Sequence, residues 1–226
     1  MSLKPTKKTD LNKEWLKGRE SKNKKIMINP EYHLIITEGT NTEPLYFESI
    51  KKEINEKYRD RIHVEIEGTG ENTLNLFQRA KKKAEKSPNV FKHIWIVYDT
   101  DDFPFDQINQ TVDLCASNST DDTEYHALWS NQCIELWFLL HFGFYHSDIH
   151  RKEYFPKLTK HLSSIGKGDY KKNRGDMYNI LKPYLKKAMS NANKLAKLNE
   201  NKTASDSTPG TEVYKIIEKL TPFLEL

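Results

Sequence analysis

The sequence predicts an α/β protein with a mostly parallel sheet flanked by helices, and two observations lead to this prediction. Apolar runs that fit strands alternate with stretches of helical periodicity in the order β-α-β-α-β-α-β. The run 94–98 is apolar at every position, as in strands of parallel sheets that helices cover on both faces. The 226 residues suffice for one sizeable core with a small appended subdomain.

In the first half of the chain, strand-like runs are separated by turn residues. The predicted strands are 33–37, 62–67 and 94–98, and the predicted helices are 43–58 and 73–86. We expect Thr42 to cap the first helix, because it precedes Pro44 and a set of apolar residues at helical spacing. Residues 62–67 alternate between apolar and polar, which is typical of a half-exposed edge strand.

The second half begins with a predicted helix at 108–114 and a buried strand at 125–130. An intensely apolar helix is then expected from an Asn131 cap to Phe142. The remaining predicted elements are helices at 177–185 and 188–198, a polar linker at 199–210 and a final amphipathic helix at 213–220.

Basic residues are concentrated in two segments that flank an acidic centre. Residues 1–30 carry a net charge of +6 and residues 151–202 carry +10, so the rest of the chain carries −12 against a total of +4. This asymmetry favours a metal at the centre and a polyanion at the periphery. The alternative is that the lysine-rich helices are simply solvated.

The composition predicts a cytoplasmic protein without membrane association. Only Cys115 and Cys133 are present, which excludes a disulfide framework and a cysteine-rich zinc site. No apolar run approaches the roughly 20 residues needed to cross a bilayer. The basic, polar N-terminus lacks the apolar block of a signal peptide.

Carboxylates follow two of the predicted strands. Asp99, Asp101 and Asp102 come within four positions at the end of the apolar run, and Glu38 follows the first strand. Ligands gather at the carboxyl ends of strands in open α/β sheets, and crowded anions there need a metal or another cation. Glu135 has two interpretations. It is either an acid stabilised by the dipole of its helix, or a third metal ligand or an acid that supports the ligands. Such oxygen donors suit Mg²⁺ or Mn²⁺.

Three blocks of the sequence resemble the RloB-like family and, more broadly, the Toprim fold of topoisomerases, primases and overcoming-lysogenization-type nucleases. The blocks are TEGTNTEPLYF at 37–47, YDTDDF at 98–103 and SNQCIELWFLLHF at 130–142. Glu-Gly or Asp-x-Asp alone is a weak signal, but the three blocks in this order are a strong one. The family is associated with restriction and abortive-infection loci, commonly beside an ABC-type ATPase gene.

The resemblance implies roles for the acidic residues. Glu38 would be the general acid/base, Asp99 and Asp101 metal ligands, and Asp102 would assist them. Glu43 also matches a position characteristic of the family. The assigned catalytic residues are Glu38, Asp99, Asp101 and Glu135, and the assigned ligands of Mg²⁺ or Mn²⁺ are Glu38, Asp99, Asp101 and Asp102.

Three segments are predicted along the chain. They are a flexible basic arm at 1–30, a Toprim-like catalytic core at 31–143 and a basic helical region at 144–226 that packs on the core. The residues predicted to contact nucleic acid are Lys167, Lys171, Lys172, Arg174, Lys186 and Lys187.

The sequence therefore predicts a metal-dependent endonuclease of Toprim type that hydrolyses RNA, such as tRNA, or DNA. The resemblance implies an anti-phage effector that works with an ATPase partner. The alternative is a non-catalytic nucleic-acid-binding or regulatory subunit of a defence complex. The two hypotheses differ in geometry, because the enzyme requires Glu38 and Asp99 or Asp101 close enough to share one ion.

Overall fold

A five-stranded sheet lies at the centre of the computed structural model, which describes residues 30–100 and 104–225. Its strands are β1 (Glu31–Thr37), β2 (Ile62–Gly68), β3 (His93–Asp99), β4 (Glu124–Asn131) and β5 (Gly210–Thr211). They lie in the order β2-β1-β3-β4-β5, with β5 antiparallel to β4 and the other pairs parallel. The predicted α/β class and the mostly parallel sheet are confirmed, and β2 is the edge strand that its alternation indicated.

Helices cover both faces of this sheet. They are α1 (Thr42–Lys57), α2 (Thr73–Lys86), α3 (Phe105–Asn118), α4 (Glu135–Leu140), α5 (Tyr154–Ser164), α6 (Met177–Leu181), α7 (Leu185–Leu198) and α8 (Val213–Leu220). Side chains alternate along a strand, so Leu34 and Ile94 belong to one core with α2 and α3. Ile35 and Trp95 belong to a second core with α1 and α4–α8. None of the helices within the described residues is both long and apolar enough to cross a membrane.

The strand order places a topological switch point between β1 and β3. The chain leaves β1 through α1 on one face to reach β2, and it enters β3 from α2 on the other face. Because the connections diverge to opposite faces, the carboxyl ends of β1 and β3 border an open crevice. This crevice is where the two predicted acidic strand ends meet.

Two predicted helix starts are wrong. Thr42 does not cap α1, because its hydroxyl donates a hydrogen bond to the carbonyl of Lys172 (2.8 Å). Asn131 does not start α4, because it still pairs with Gly210 as the last residue of β4, and the helix begins at Glu135. In both cases a long-range contact takes the polar residue away from the local role that its neighbours suggested.

The C-terminal region contains elements that sequence periodicity did not reveal. α5 was not predicted, and β5 lies at the end of the stretch expected to be a linker. The helix expected over 177–185 ends at Leu181, where a 3₁₀ turn, Lys182–Tyr184, carries Pro183 before α7 begins. A proline there cannot donate the backbone hydrogen bond that a continuous helix needs. The domain boundaries remain predictions, and residues 1–29 of the arm lie outside the described residues.

A candidate active site at the carboxyl edge of the sheet

Glu38 is held between β3 and the loop after β2. Its backbone N–H donates to the carbonyl of Val97 (2.9 Å), and its carbonyl accepts from the N–H of Gly70 (2.8 Å). Its carboxylate accepts a hydrogen bond from the backbone N–H of Asp99 (3.1 Å). Because three bonds fix the residue, its carboxylate lies directly beside the end of β3, as expected for neighbouring strands.

Asp99 is the last residue of β3 and is tied to the start of α4. Its Oδ1 accepts a hydrogen bond from the backbone N–H of Ile134 (3.0 Å). Burial raises the pKa of Asp99 well above its ordinary value, and the charges of Glu43, Glu135 and Glu38 raise it further. The ionised form therefore needs a compensating positive charge.

Glu43 reaches this edge from the first turn of α1. Its carboxylate lies against Gly39. A Cβ atom on residue 39 would lie 2.1 Å from Oε2 of Glu43, so only glycine leaves room for the carboxylate in this position. Burial raises the pKa of Glu43, and the charge of Glu135 adds to that effect.

Glu135 is the most buried of the four acids, with 1% of its surface exposed. The phenolic O–H of Tyr170, from the loop between α5 and α6, donates to its Oε1 (2.7 Å). Glu135 lies both in the first turn of α4 and against the crevice, so the geometry is compatible with either of its predicted interpretations. Its role stays a prediction.

The four acids surround a cavity of about 290 Å³. Its lining residues are Glu38, Gly39, Thr40, Asn41, Thr42, Glu43, Asp99, Ile134, Glu135, Arg151 and Lys172. Arg151 and Lys172 both come from the basic C-terminal region. The cavity thus combines acidic groups on the sheet with basic groups at its rim.

The predicted nucleic-acid contacts are not all placed at this cavity. Lys172 lines it, and Lys167 and Lys171 are exposed on the neighbouring loop. The guanidinium of Arg174 pairs with Asp176 (Nε to Oδ1, 2.7 Å) and also donates to two backbone carbonyls of the loop. Arg174 therefore stabilises the loop that carries Lys172.

The other two predicted contacts lie at the start of α7. Lys187 donates to the carbonyl of Phe142, while Lys186 lines a separate cavity with Leu185 and Glu225. Their role in binding nucleic acid remains a prediction.

Oxygen donors dominate the carboxyl edge, so the residues fit a hard divalent cation such as Mg²⁺. Within residues 30–100 and 104–225, no three of these acids bring one oxygen each within 4.8 Å of one another. This spacing suits an ion held by one or two carboxylates, with water and substrate phosphate as its other ligands. Asp101 and Asp102, predicted as further ligands, lie outside the described residues.

Sequence reasoning missed two contributors to this site. Arg151 lines the cavity from a 3₁₀ turn, Arg151–Glu153, that no periodicity indicates. Tyr170 lies among lysines predicted to contact nucleic acid, and nothing in the sequence pairs it with Glu135, 35 positions earlier. Both residues reach the site through tertiary packing of the C-terminal region.

Comparison with known proteins identifies the family. No curated protein and no solved structure matches the sequence. The family model described as RloB-like protein matches residues 33–220, which include all four described acids of the cavity: Glu38, Glu43, Asp99 and Glu135. Because the match covers most of the chain, this protein belongs to the RloB-like family.

Proposed function

We propose that this protein is a Mg²⁺-dependent, Toprim-type nuclease that hydrolyses phosphodiester bonds in RNA or DNA. One observation carries the proposal: Glu38 and Asp99 meet at the switch point of the sheet, beside two more buried acids and a basic rim. Crowded carboxylates with raised pKa values are stabilised by a divalent cation. The basic rim would attract the phosphates of the substrate.

Asp99 and Glu38 are the described residues that would hold the ion. When bound, Mg²⁺ polarises a phosphoryl oxygen and lowers the pKa of a coordinated water. The N–H of Ile134 holds the Oδ1 of Asp99, and the N–H of Asp99 holds the carboxylate of Glu38. Both carboxylates are thereby oriented before a substrate arrives, which reduces the reorganisation needed for the reaction.

Proton transfer is assigned to a glutamate of the cavity. A positioned carboxylate can take the proton of the attacking water or give one to the leaving oxygen. We assign this role to Glu38, because it is only partly buried and lies directly at the strand end. Glu135 is held by Tyr170 at the wall of the cavity, where it would position neighbouring groups.

Phosphate binding is assigned to Lys172 and Arg151 at the rim. The backbone of Lys172 is fixed by the hydroxyl of Thr42, and its Nζ lies 5.3 Å from the centre of the Phe155 ring. Lys172 lines the cavity together with the acids, and within the described residues no ion pair of 4.0 Å or less joins its ammonium group to one of them. A polyanion at the rim would complete the charge balance.

Membership of the RloB-like family supports a role in anti-phage defence. We propose that the protein acts as an effector whose nuclease activity is controlled by an ABC-type ATPase. The basic region beyond residue 150 would hold the nucleic acid.

The proposal is tested with the purified chain, alone and with the ATPase from its own locus. tRNA and duplex DNA are incubated with Mg²⁺ or Mn²⁺, and products are resolved by denaturing electrophoresis. Asp99→Asn removes a charge but keeps an oxygen that can accept from Ile134. Glu48→Gln, an exposed acid on the outer side of α1, is the matched control.

We expect metal-dependent cleavage by the wild type and by Glu48→Gln, and none by Asp99→Asn. Equal cleavage by all three proteins would refute the assignment of the site. Binding of nucleic acid without cleavage, with or without the ATPase, would favour the non-catalytic alternative.

A further inference from the structure

The opposite edge of the same sheet carries a second polar cluster. His33, His93 and Glu124 are register partners at the amino ends of β1, β3 and β4. His126 lies two residues beyond Glu124, so both side chains lie on the same face of β4. This face is the one covered by α8. The alignment brings distant parts of the sequence together at the starts of three parallel strands.

Three ligand atoms in this cluster form a compact triangle. Nδ1 of His93 lies 3.0 Å from Nε2 of His126, and Oε2 of Glu124 lies 3.5 Å from the first nitrogen and 3.8 Å from the second. Bonds of about 2.0–2.2 Å in a tetrahedron place neighbouring ligand atoms roughly 3.3–3.6 Å apart. The three distances bracket this range, so shifts of a few tenths of an ångström would bring the three atoms to the spacing of ligands of one tetrahedral ion.

We propose that His93, His126 and Glu124 form a zinc site at the amino edge of the sheet. Nδ1 of His93, Nε2 of His126 and a carboxylate oxygen of Glu124 are the protein ligands. The fourth position faces a cavity of about 630 Å³ lined also by Trp95 and Lys215 and is left to water. This site is independent of the proposed nuclease function.

The groups behind the ligands fix the rings in the orientation that a metal needs. The indole N–H of Trp95 donates to Nδ1 of His33 (3.1 Å), so His33 carries its proton on Nε2 and donates to Oε1 of Glu31 (2.8 Å). The same oxygen lies 3.4 Å from Nε2 of His93. With Nδ1 of His93 on zinc, its Nε2–H would face Glu31, the carboxylate–histidine–zinc arrangement common in metalloproteins.

The same hydrogen bonds exclude His33 as a ligand. Its Nδ1 lone pair accepts from Trp95, and its Nε2 carries the proton given to Glu31. A neutral imidazole in that state has no free lone pair to offer a metal. His33 therefore positions Glu31, and Glu31 positions His93.

One ring nitrogen of His93 supports the same assignment. Nε2 of His93 is buried without a hydrogen bond of normal geometry among the described residues, although the residue is only 2% exposed. A proton on that nitrogen, directed at Glu31, leaves Nδ1 unprotonated. Without a metal, Nδ1 accepts a hydrogen bond from Nε2–H of His126 (3.0 Å), and zinc would take the place of that proton. The stacking of His126 on Trp95, with ring centres 3.9 Å apart, holds the second imidazole in place.

Lysines and carboxylates surround the cluster. Lys215 lines the same cavity, and Nζ of Lys92 lies 3.8 Å from Oε1 of Glu124. Lys219 lies 3.7 Å from Oε1 of Glu31, so its charge is paired with a carboxylate outside the triangle. Glu124 would leave a zinc ion with a net charge of +1.

The donor set selects zinc over the magnesium proposed for the other edge. Imidazole nitrogen suits Zn²⁺, whereas Mg²⁺ prefers oxygen ligands in octahedral geometry.

The experiment uses the full-length protein without an affinity tag, stripped with EDTA, loaded with ZnCl₂ and desalted. Bound zinc is measured by plasma mass spectrometry, and affinity by competition with a chromogenic chelator. Co²⁺ loading adds an absorption spectrum that distinguishes four-coordinate from octahedral ions.

The variants separate this site from other metal-binding groups. Glu124→Gln and His126→Gln remove ligands that border the cavity, while Glu31→Gln changes only the group behind His93. His63→Gln is the matched control, because His63 stacks on Tyr32 outside the cluster. Asp99→Asn tests whether zinc enters the carboxyl edge instead.

We expect about one zinc per chain in the wild type, His63→Gln and Asp99→Asn, with a four-coordinate Co²⁺ spectrum. Loss of either ligand should weaken zinc binding more than about 100-fold, and Glu31→Gln about 10- to 100-fold, the usual effect of removing an orienting partner. Circular dichroism confirms that each variant is folded. Zinc lost from the wild type on desalting, zinc retained by both ligand variants, or zinc lost from Asp99→Asn would overturn the proposal.

Discussion

The two edges of the sheet carry opposite chemistry: acids lie at the carboxyl ends of β1 and β3, and histidines lie at the amino ends of β1, β3 and β4. At the carboxyl edge, burial and mutual repulsion raise the pKa values of Asp99 and Glu43. At the amino edge, burial lowers the pKa values of His93 and His126. The strands are seven or eight residues long, so the edges are about 20 Å apart. Parallel strands align all their starts and all their ends, and one sheet can therefore hold two distinct sites.

The largest expected effect is a loss of cleavage activity that leaves zinc binding at the amino edge unchanged. Glu38→Gln should lower metal-dependent cleavage by about 10²- to 10⁴-fold, because it removes the assigned general acid/base. Initial rates at saturating Mg²⁺ measure this loss, and zinc content should stay at the wild-type value. A parallel loss of zinc would show that the two edges are coupled.

A smaller effect is expected when the carboxyl edge loses a hydrogen-bond donor. Tyr170→Phe leaves the buried Oε1 of Glu135 without its partner, which should lower the free energy of unfolding by about 1–3 kcal/mol. Urea denaturation measures the change. Tyr32→Phe is the control, because its hydroxyl makes no hydrogen bond within the described residues, and its effect should stay within about 0.5 kcal/mol.

If Tyr170→Phe were as stable as the control, Glu135 would not depend on this donor. The acid would then be free to take part in proton transfer.

The basic rim should affect substrate binding by a few-fold. Lys172→Gln removes one proposed phosphate contact, so nucleic-acid affinity should fall and the slope of log K against log salt should change by about 1. Lys186→Gln removes another predicted contact, which lies in a separate cavity away from the acids, and should change both quantities less. Fluorescence anisotropy at several salt concentrations measures both. Equal losses in the two variants would place the nucleic acid across the whole basic region.

The smallest effect is a pH dependence at the carboxyl edge. The folded pKa of Asp99 exceeds its ordinary value of 3.8, so ionisation is disfavoured by folding. The stability of the metal-free wild type should therefore fall, relative to Asp99→Asn, as pH rises from about 4 through the folded pKa. A difference of about 1 kcal/mol would shift the melting temperature by about 2–4 °C.

Scanning calorimetry in EDTA from pH 4 to pH 8 tests this prediction. A constant difference across that range would mean that Asp99 ionises as easily as in the unfolded chain.

The order of helices and strands along the chain and the acids at the ends of β1 and β3 could be predicted, because both depend on local patterns. The sequence leaves open whether β1 and β3 are neighbours, and this adjacency is what brings Glu38 beside Asp99. Apolar runs mark the strands, and a carboxylate after each run marks the carboxyl edge. Asp101 and Asp102 stay untested predictions. Arg151 and Tyr170 could not be predicted, since each reaches the cavity across a fold that the sequence does not specify locally.

The histidine cluster could not be predicted from the sequence, for the same reason. His33, His93 and His126 are far apart in the sequence and form no spaced motif. Only the register of β1, β3 and β4 brings them together, and register depends on packing of both faces of the sheet. A site at the starts of parallel strands needs the strand alignment before it can be seen.

The space beside Gly39 determines which residues would be needed to build the acidic edge into another protein. Glycine after a strand is usually explained by a sharp turn or by the close approach of a ligand. Here the missing side chain makes room for Glu43, which comes from the next helix. Glu38, Gly39 and Glu43 would therefore have to be transferred to another protein together. If only Glu38 and Gly39 were grafted into another sheet, water instead of a carboxylate would fill the space beside the glycine.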